Sequence, residues 1–187
     1  MYKEIDLSVF PPERKEKLES IYRYHYFDTL FYRSNLWMHS HRVLWLLEEL
    51  APVAQKYVTF DLEMARTYAL VHDDAEMVTG DIQAIEKARM TKQESEELEK
   101  KELEAVEALV KDYPKEINGY SYKGLLDHAA KKDCIEAKLV SYVDNQPHTK
   151  ESVVLNTDFP FYKTWKDIVI GKGKIDWLID QKEFLPA

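Results

Sequence analysis

The chain has 187 residues, a formal net charge of −8 and a single cysteine, Cys134. This length suits one domain with a sizeable buried core. The negative charge disfavours general binding to nucleic-acid backbones or anionic membranes. It does not exclude a phosphorylated small substrate, because a bound metal reverses the local field. One cysteine excludes an intramolecular disulfide, the N-terminus does not resemble a signal peptide, and no apolar run reaches membrane-spanning length, so we expect a cytoplasmic protein.

Helical periodicity dominates the chain, and we expect an all-α, single-domain helical bundle over residues 1–187. Pro11 and Pro12 indicate a helix start, Asn35 and Asp61 are expected helix caps, and Pro52 should bend or end its helix. We predict a loop over 114–124 and no convincing strand hairpin. The predicted helices cover about 13–31 and 36–57, a third helix after Asp61 with helical period from 64 to 72, 91–112, a pair within 125–145, and two short helices at 164–170 and 175–179. Gly80 is expected to break the chain after the third helix.

The most informative segment places His72 and Asp73 side by side after an apolar helical lead-in, with Glu76 and Asp81 following. Adjacent side chains on a regular helix diverge by about 100°, so His72 and Asp73 can reach one ion only if the helix ends or unwinds there. A lone histidine is usually a hydrogen-bonded core residue. An imidazole and carboxylate set that also includes His39 and Asp144 instead indicates a divalent transition metal with open positions.

These residues carry a resemblance to a known family. The order of His39, His72-Asp73 and Asp144 resembles that of the HD-domain metal-dependent phosphohydrolases. The segment Val71-His-Asp-Asp-Ala-Glu-Met-Val-Thr-Gly-Asp81 is similar to the equivalent segment of the bacterial HD-domain 5′-deoxyribonucleotidases. The resemblance spans about 33–145 and implies an HD-type helical domain, with 146–187 as a C-terminal helical extension.

The resemblance also implies roles for individual residues. Glu76 would orient or deprotonate the attacking water, and Asp81 would contact the sugar hydroxyl or fix the substrate. Asp81 has an equal alternative as the cap of the next helix. One divalent ion, Co²⁺, Mn²⁺, Fe²⁺, Zn²⁺ or Mg²⁺, would be held by four residues: His39, His72, Asp73 and Asp144.

A phosphate ester also needs a cationic clamp, and arginine is the side chain best shaped for it. In the resembling enzymes an arginine lies on the helix before the first histidine, and the resemblance therefore implies this role for Arg23 or Arg33. Arg23, flanked by tyrosines, is slightly favoured. The alternative is that both are surface residues. Trp37-Met38 precedes His39 where the family commonly has an acidic residue, which affects the expected substrate more than the expected metal.

We therefore expect a metal-dependent phosphomonoesterase that uses metal-activated water to remove the 5′-phosphate from nucleoside monophosphates, with the deoxy forms favoured. One alternative is hydrolysis of another phosphorylated small molecule, such as a nucleoside polyphosphate or cyclic nucleotide. Another is a non-catalytic regulatory module that binds metal. A homodimer is the base-rate expectation for the assembly. Three other residues receive structural interpretations: His41 faces away from the metal, His128 has a surface or packing role, and Cys134 is a packed thiol.

Overall fold

The computed structural model describes residues 2–23, 34–82, 84–87 and 89–144. These residues form an all-α bundle with one very short hairpin, so the predicted fold class is confirmed. The predicted extension over 146–187, with its two short helices, lies outside the described residues. The elements are α1 (Pro12–Ser20), α2 (Leu36–Ala54), α3 (Leu62–Val71), α4 (Glu76–Thr79), α5 (Ala84–Lys87), α6 (Lys92–Asp112), β1 (Glu116–Ile117), β2 (Tyr120–Ser121), α7 (Tyr122–Lys131) and α8 (Ile135–Asp144).

Side-chain caps define where the long helices begin. The Asn35 side chain accepts a hydrogen bond from the amide of Met38 at 2.9 Å, and Asp61 accepts one from the amide of Met64 at 3.1 Å. Both predicted caps are therefore confirmed, and each satisfies an amide that the helix itself leaves without a partner. Pro52 does not end α2, because it lies in the last turn and the helix continues to Ala54.

The predicted first helix ends early, and the prediction is wrong at residues 21–23. Ile21 adopts an extended conformation with φ −96° and ψ 109°. Tyr22 then pairs with Asn35 in an antiparallel bridge, and the Arg23 amide donates to the Ser34 carbonyl at 2.9 Å. A β-branched residue followed by tyrosine suits such extended pairing, and the pairing places Arg23 beside the start of α2. Residues 24–33 lie outside the described residues.

The loop predicted over 114–124 is also wrong in part, because it contains the hairpin of β1 and β2. Asn118 and Gly119 form its turn with φ values of 50° and 82°. Asn-Gly is the dipeptide that best suits a two-residue turn with both φ values positive, so the sequence contained an indicator of this hairpin. The Ser121 side chain caps α7, which therefore begins at Tyr122 and not near position 125.

The core lies where α2, α3 and α8 pack against one another, with α7 against α3 and α6 against α7. Helix α6 buries Ala105, Val106 and Leu109 and exposes most of its charged residues. None of the described helices is both long and apolar enough to cross a lipid bilayer. The central packing buries apolar side chains from three helices: Val43, Leu47, Ala69, Val71, Leu139 and Val140.

Candidate metal centre

Three helices that are distant in sequence bring histidines and an aspartate to one place. His39 lies within α2, His72 directly follows α3, and Asp144 is the last residue of α8. Because these three helices pack against each other, one ligand atom from each residue lies within 4.8 Å of the other two. His39 is fully buried, with 0% of its surface exposed. The fold therefore brings together three of the four residues expected to hold a metal.

Asp73 joins this cluster because α3 ends at Val71 and a turn follows. The turn is held by hydrogen bonds from the Asp74 amide to the Val71 carbonyl and from the Glu76 amide to the Asp73 carbonyl, at 3.0 and 2.9 Å. In this turn Asp73 Oδ1 lies 3.2 Å from His72 Nε2, and Asp73 Oδ2 lies 3.5 Å from His39 Nε2. The helix ends here as expected, and this end allows the adjacent side chains of His72 and Asp73 to face the same cluster.

The hydrogen bonding of His72 fixes its tautomer. His72 Nδ1 lies 2.9 Å from the Ala69 carbonyl oxygen, which can only accept a hydrogen bond, so Nδ1 carries a proton. His72 Nε2 is buried and has no hydrogen-bond partner in the part of the chain that the structure describes. In the neutral ring, the lone pair of Nε2 is therefore directed at the cluster and is available to a metal.

The ligand atoms of the cluster lie close enough together to share a proton or a cation. His39 Nε2 lies 2.9 Å from Asp144 Oδ1, and the other ring nitrogen, Nδ1, has no hydrogen-bond partner among the described residues. Imidazole lone pairs and carboxylate oxygens repel one another unless a proton or a cation lies between them. Imidazole and carboxylate are suitable ligands for divalent transition metals, so the residues present fit such an ion.

The surroundings of Asp144 favour the ionised form of its carboxyl group. Burial opposes its ionisation, but the interactions with His39, His72 and Arg23 outweigh burial and hold the pKa of Asp144 well below its usual range. A carboxylate that stays negative is able to bind a cation over a wide pH range.

Arg23 provides the positive charge nearest to the aspartates. Its Nη1 donates to Asp73 Oδ2 at 3.2 Å, and 16% of its side chain is exposed. Burial alone lowers the pKa of Arg23, but carboxylates of the cluster and its neighbours raise it, so the guanidinium stays charged. Four carboxylates have this effect: Asp73, Asp81, Glu76 and Asp144. One guanidinium does not neutralise the three aspartates, Asp73, Asp81 and Asp144, and the surplus of negative charge favours a divalent cation.

Glu76 is the first residue of α4 and lies beside the same acids. Its buried Oε2 has no hydrogen-bond partner in the described ranges. Burial raises the pKa of Glu76 well above its usual range, and Asp73 and Asp81 raise it further, against the lowering effects of Arg23 and Lys87. A carboxylate with a raised pKa is a stronger base than an ordinary glutamate, and this suits proton transfer.

Gly80 turns the chain between Glu76 and Asp81. It adopts φ 78° and ψ 161°, a conformation that residues with a Cβ rarely take. Asp81 then lies close enough to Glu76 and Arg23 to affect the pKa of both. Helix α5 begins only at Ala84, and the capping alternative for Asp81 stays a prediction, as does its contact with a sugar hydroxyl.

Beneath the cluster, a buried ion pair that was not expected from the sequence holds the turn. Arg14 Nε donates to Asp74 Oδ2 at 2.8 Å and Arg14 Nη2 donates to Asp74 Oδ1 at 2.7 Å, while the Tyr122 hydroxyl donates to Oδ2 at 2.7 Å. Arg14 Nη2 also donates to the Leu70 carbonyl. Burial and the Asp74 carboxylate raise the pKa of Tyr122, so its hydroxyl remains a neutral donor. The only sequence indicator was a second aspartate directly after Asp73.

Two further sequence expectations concern residues near the cluster. His41 is exposed and its Nδ1 lies 2.8 Å from the Trp37 carbonyl, so it points away from His39 as expected. Arg33, the alternative phosphate clamp, lies outside the described residues.

Comparison with known proteins identifies the family. A family model described as 5′-deoxynucleotidase YfbR-like matches residues 15–150. The chain belongs to this family. Membership of the YfbR-like family identifies it as an HD-type phosphohydrolase and implies that it binds a divalent metal. No curated protein matches the chain.

A solved structure supports the fold of this YfbR-like chain. A conserved hypothetical protein from Pyrococcus furiosus is 19% identical, with a TM-score of 0.55, and the match covers 90% of this chain and 87% of that chain. At this level of identity the likeness establishes a shared fold.

Proposed function

We propose that this chain is a phosphomonoesterase that removes the 5′-phosphate from nucleoside 5′-monophosphates, with preference for the deoxy forms. The observation that carries the proposal is the buried convergence of His39, His72 and Asp144 from three helices, with Asp73 in contact with both imidazoles. The YfbR-like family assignment supports the reaction class. The substrate and the roles of individual residues are our inference.

In this proposal the metal is held by His39, His72, Asp73 and Asp144. A divalent ion at this position lowers the pKa of a water molecule and polarises a phosphoryl oxygen. The hydrogen bond from His72 to the Ala69 carbonyl orients the ring and increases the basicity of Nε2. His72 lies directly after the end of α3, and this hydrogen bond to the Ala69 carbonyl holds its ring in the orientation that a ligand needs.

Arg23 binds the phosphate of the substrate. Its guanidinium lies at the edge of the cluster, where two parallel N–H groups can reach two phosphoryl oxygens. The surrounding carboxylates keep it charged. They also repel a free phosphate, so Arg23 and the cation are both needed before a phosphate monoester can bind. Arg33 remains the alternative clamp.

Glu76 accepts one proton from the attacking water as the oxygen of that water bonds to phosphorus and the bond from phosphorus to the 5′-oxygen breaks. The 5′-oxygen takes a proton from solvent to become the free hydroxyl of the nucleoside, and Glu76 returns its proton to solvent when inorganic phosphate leaves. The raised pKa of Glu76 suits a general base near neutral pH. Asp81 accepts a hydrogen bond from a sugar hydroxyl. A carboxylate beside the sugar can distinguish deoxy from ribo nucleotides, because the two differ in the hydroxyl groups that they carry.

The proposal is tested with metal-free protein, to which Mn²⁺ or Co²⁺ is added with a panel of substrates. The panel contains 2′-deoxy and ribo 5′-monophosphates, a 3′-monophosphate, a nucleoside triphosphate and a cyclic nucleotide. We expect metal-dependent phosphate release from 5′-monophosphates, fastest for the deoxy forms. Chromatography of the nucleotides follows the substrates whose hydrolysis releases no free phosphate. Hydrolysis of only the triphosphate, or opening of only the cyclic nucleotide to a monophosphate, would support the other hydrolase activity, and no phosphate release from any 5′-monophosphate would overturn the proposal.

Substitution of Glu76 and of the two arginines tests the roles. Glu76→Gln should bind metal but lose at least about 100-fold in rate, within the range that general bases contribute. Equal rates for wild type and Glu76→Gln would contradict its role, and metal binding without activity in either protein would favour the regulatory module. Arg23→Lys should raise KM for nucleotides, and Arg33→Lys is its matched control. An effect from Arg33→Lys alone would reassign the clamp.

A further inference from the structure

A second group of potential metal ligands lies where α7 meets α8. Ligand atoms of His128, Asp133 and Cys134 all lie within 4.8 Å of one another. They supply three different donor types: imidazole, carboxylate and thiol. The group shares no residue with the cluster of His39, His72 and Asp144, so it calls for a separate explanation.

The backbone between the two helices creates this group. Helix α7 ends at Lys131, and Lys132 takes a left-handed conformation with φ 51° and ψ 41°, which reverses the chain after only a short turn. Asp133 and Cys134 are thereby folded back onto the last turn of α7, where His128 Nδ1 hydrogen-bonds Asp133 Oδ1. The three side chains are therefore held together by main-chain geometry and not only by mutual contact.

The sulfur of Cys134 occupies the N-terminal end of α8. The Ala137 amide donates to Cys134 Sγ at 3.4 Å, as an amide would to a capping oxygen. Burial raises the pKa of the Cys134 thiol, while this amide lowers it. Coordination to a metal displaces the thiol proton, so such a pKa does not prevent a thiolate ligand.

We propose that His128, Asp133 and Cys134 form a second binding site for a divalent ion of the zinc or cobalt class. A thiolate with an imidazole selects borderline-soft metals such as Zn²⁺ and Co²⁺ over Mg²⁺. On binding, the thiol proton leaves to solvent and the imidazole proton moves from Nδ1 to Nε2, which frees Nδ1 for the ion. The Asp133 side chain is 49% exposed, so an ion can reach the three ligand atoms from solvent.

This site is too far from the first cluster to share its ion. Cys134 directly precedes α8 and Asp144 ends it, a separation of roughly 15 Å at about 1.5 Å per helical residue. A metal at the second site ties the end of α7 to the start of the helix that carries Asp144. Its effect is to stabilise the fold by mass action.

The test is titration of the reduced, metal-free full chain with Co²⁺, followed by absorption spectroscopy. Cys134 is the single cysteine of the chain, so a thiolate-to-cobalt charge-transfer band reports this site alone. We expect the band in the wild type and in His39→Ala. We expect no band in Cys134→Ser, whose hydroxyl can still accept from the Ala137 amide and so preserves the cap. His128→Ala should weaken the cobalt affinity measured by this band at least tenfold, and exposed His41→Ala is the matched control.

Three results would overturn the proposal. The first is the absence of a charge-transfer band in the wild type at millimolar Co²⁺. The second is an unchanged cobalt affinity in both His128→Ala and Asp133→Asn, which would mean that the thiol binds cobalt without its neighbours. The third is loss of the band in His39→Ala while circular dichroism shows an intact fold, which would assign the thiol to the first cluster.

Discussion

Asp73 and Asp74 are neighbours in sequence, and each faces an arginine, yet the two pairs differ in what surrounds them. Arg14 and Asp74 are joined by two hydrogen bonds of 2.7 and 2.8 Å, and both side chains are 2% exposed. Arg23 and Asp73 are joined at 3.2 Å, and their side chains are 16% and 14% exposed. Asp74 receives a further hydrogen bond from Tyr122. Asp73 instead faces two imidazoles.

The Arg14–Asp74 pair therefore holds the turn, whereas the Arg23–Asp73 pair lies in the candidate metal centre. A buried carboxylate whose oxygens are fully hydrogen-bonded has no capacity left for a ligand. A carboxylate that faces other acceptors requires an added cation. The turn at residues 72–75 places one aspartate in each environment, so removal of each should have a different consequence.

The largest expected effect on stability is that of Asp74→Ala. It leaves the Arg14 guanidinium buried without its carboxylate, which costs about 3–5 kcal/mol. Urea unfolding of metal-free protein measures this loss. Asp73→Ala is the matched control at the adjacent position, and we expect it to change the free energy of unfolding by less than about 1 kcal/mol because its site is already crowded with acids.

The double variant Arg14→Met with Asp74→Leu sharpens this prediction. Replacement of a buried ion pair by apolar side chains of similar size is often nearly neutral, so the double variant should recover most of the stability lost in Asp74→Ala. Wild-type stability in Asp74→Ala would show that the pair does not hold the turn.

The largest expected effect on activity is that of Asp73→Asn, given the proposed function. The amide keeps the shape of the side chain but loses the charge that a cation needs, so metal-dependent phosphate release should fall by at least about 100-fold. Calorimetry should show correspondingly weaker metal binding, while urea unfolding of the metal-free protein stays near wild type. Undiminished metal affinity in Asp73→Asn would remove this residue from the proposed ligand set.

The contrast between the two aspartates also shows what the sequence could and could not predict. The sequence predicted that His39, His72 and Asp144 act together, because imidazole and carboxylate side chains occur in a recognisable order, and the structure brings their ligand atoms within 4.8 Å of one another. That they hold a metal stays a prediction. The Arg14–Asp74 pair was missed because it joins positions 60 residues apart. Nothing in the local sequence distinguishes a buried arginine from one on the solvated face of a helix.

The secondary-structure elements show the same contrast. Features that depend on neighbouring residues could be predicted from the sequence, and features that depend on distant contacts could not. Asn35 and Asp61 were predicted as caps because capping depends on side chains a few residues apart. The end of α1 at Ser20 was not predicted, since it depends on the bridge of Tyr22 with Asn35 across the chain. The hairpin at Asn118-Gly119 was predictable, because its turn residues are adjacent.

Glu76→Gln should stabilise the metal-free protein at neutral pH. The folded state raises the pKa of Glu76 above the unfolded value of about 4.5. Glu76 therefore favours folding only while it is protonated, and this contribution is lost as the pH rises from about 4.5 through the raised pKa. We expect the variant to match wild type near pH 4 and to exceed it by about 0.5–2 kcal/mol at neutral pH.

Urea unfolding of both proteins across pH 4 to 8, with chelator present, measures this difference. A constant difference across the range would mean that the ionisation of Glu76 is not coupled to folding. Comparison with Asp73→Ala distinguishes an effect of Glu76 itself from a general release of charge repulsion.

The smallest expected effect is that of Lys123→Met, which tests whether burial or distance separates strong ion pairs from weak ones. Lys123 Nζ lies 2.9 Å from both Glu107 and Asp127, nearly as close as Arg14 to Asp74, but 42% of its side chain is exposed. Exposed pairs contribute up to about 1 kcal/mol. At 1 M salt, where the screening length is about 3 Å, the difference from wild type should vanish. A loss comparable to that of Asp74→Ala would show that short distance alone is sufficient, and the contrast between the two aspartates would then need another cause.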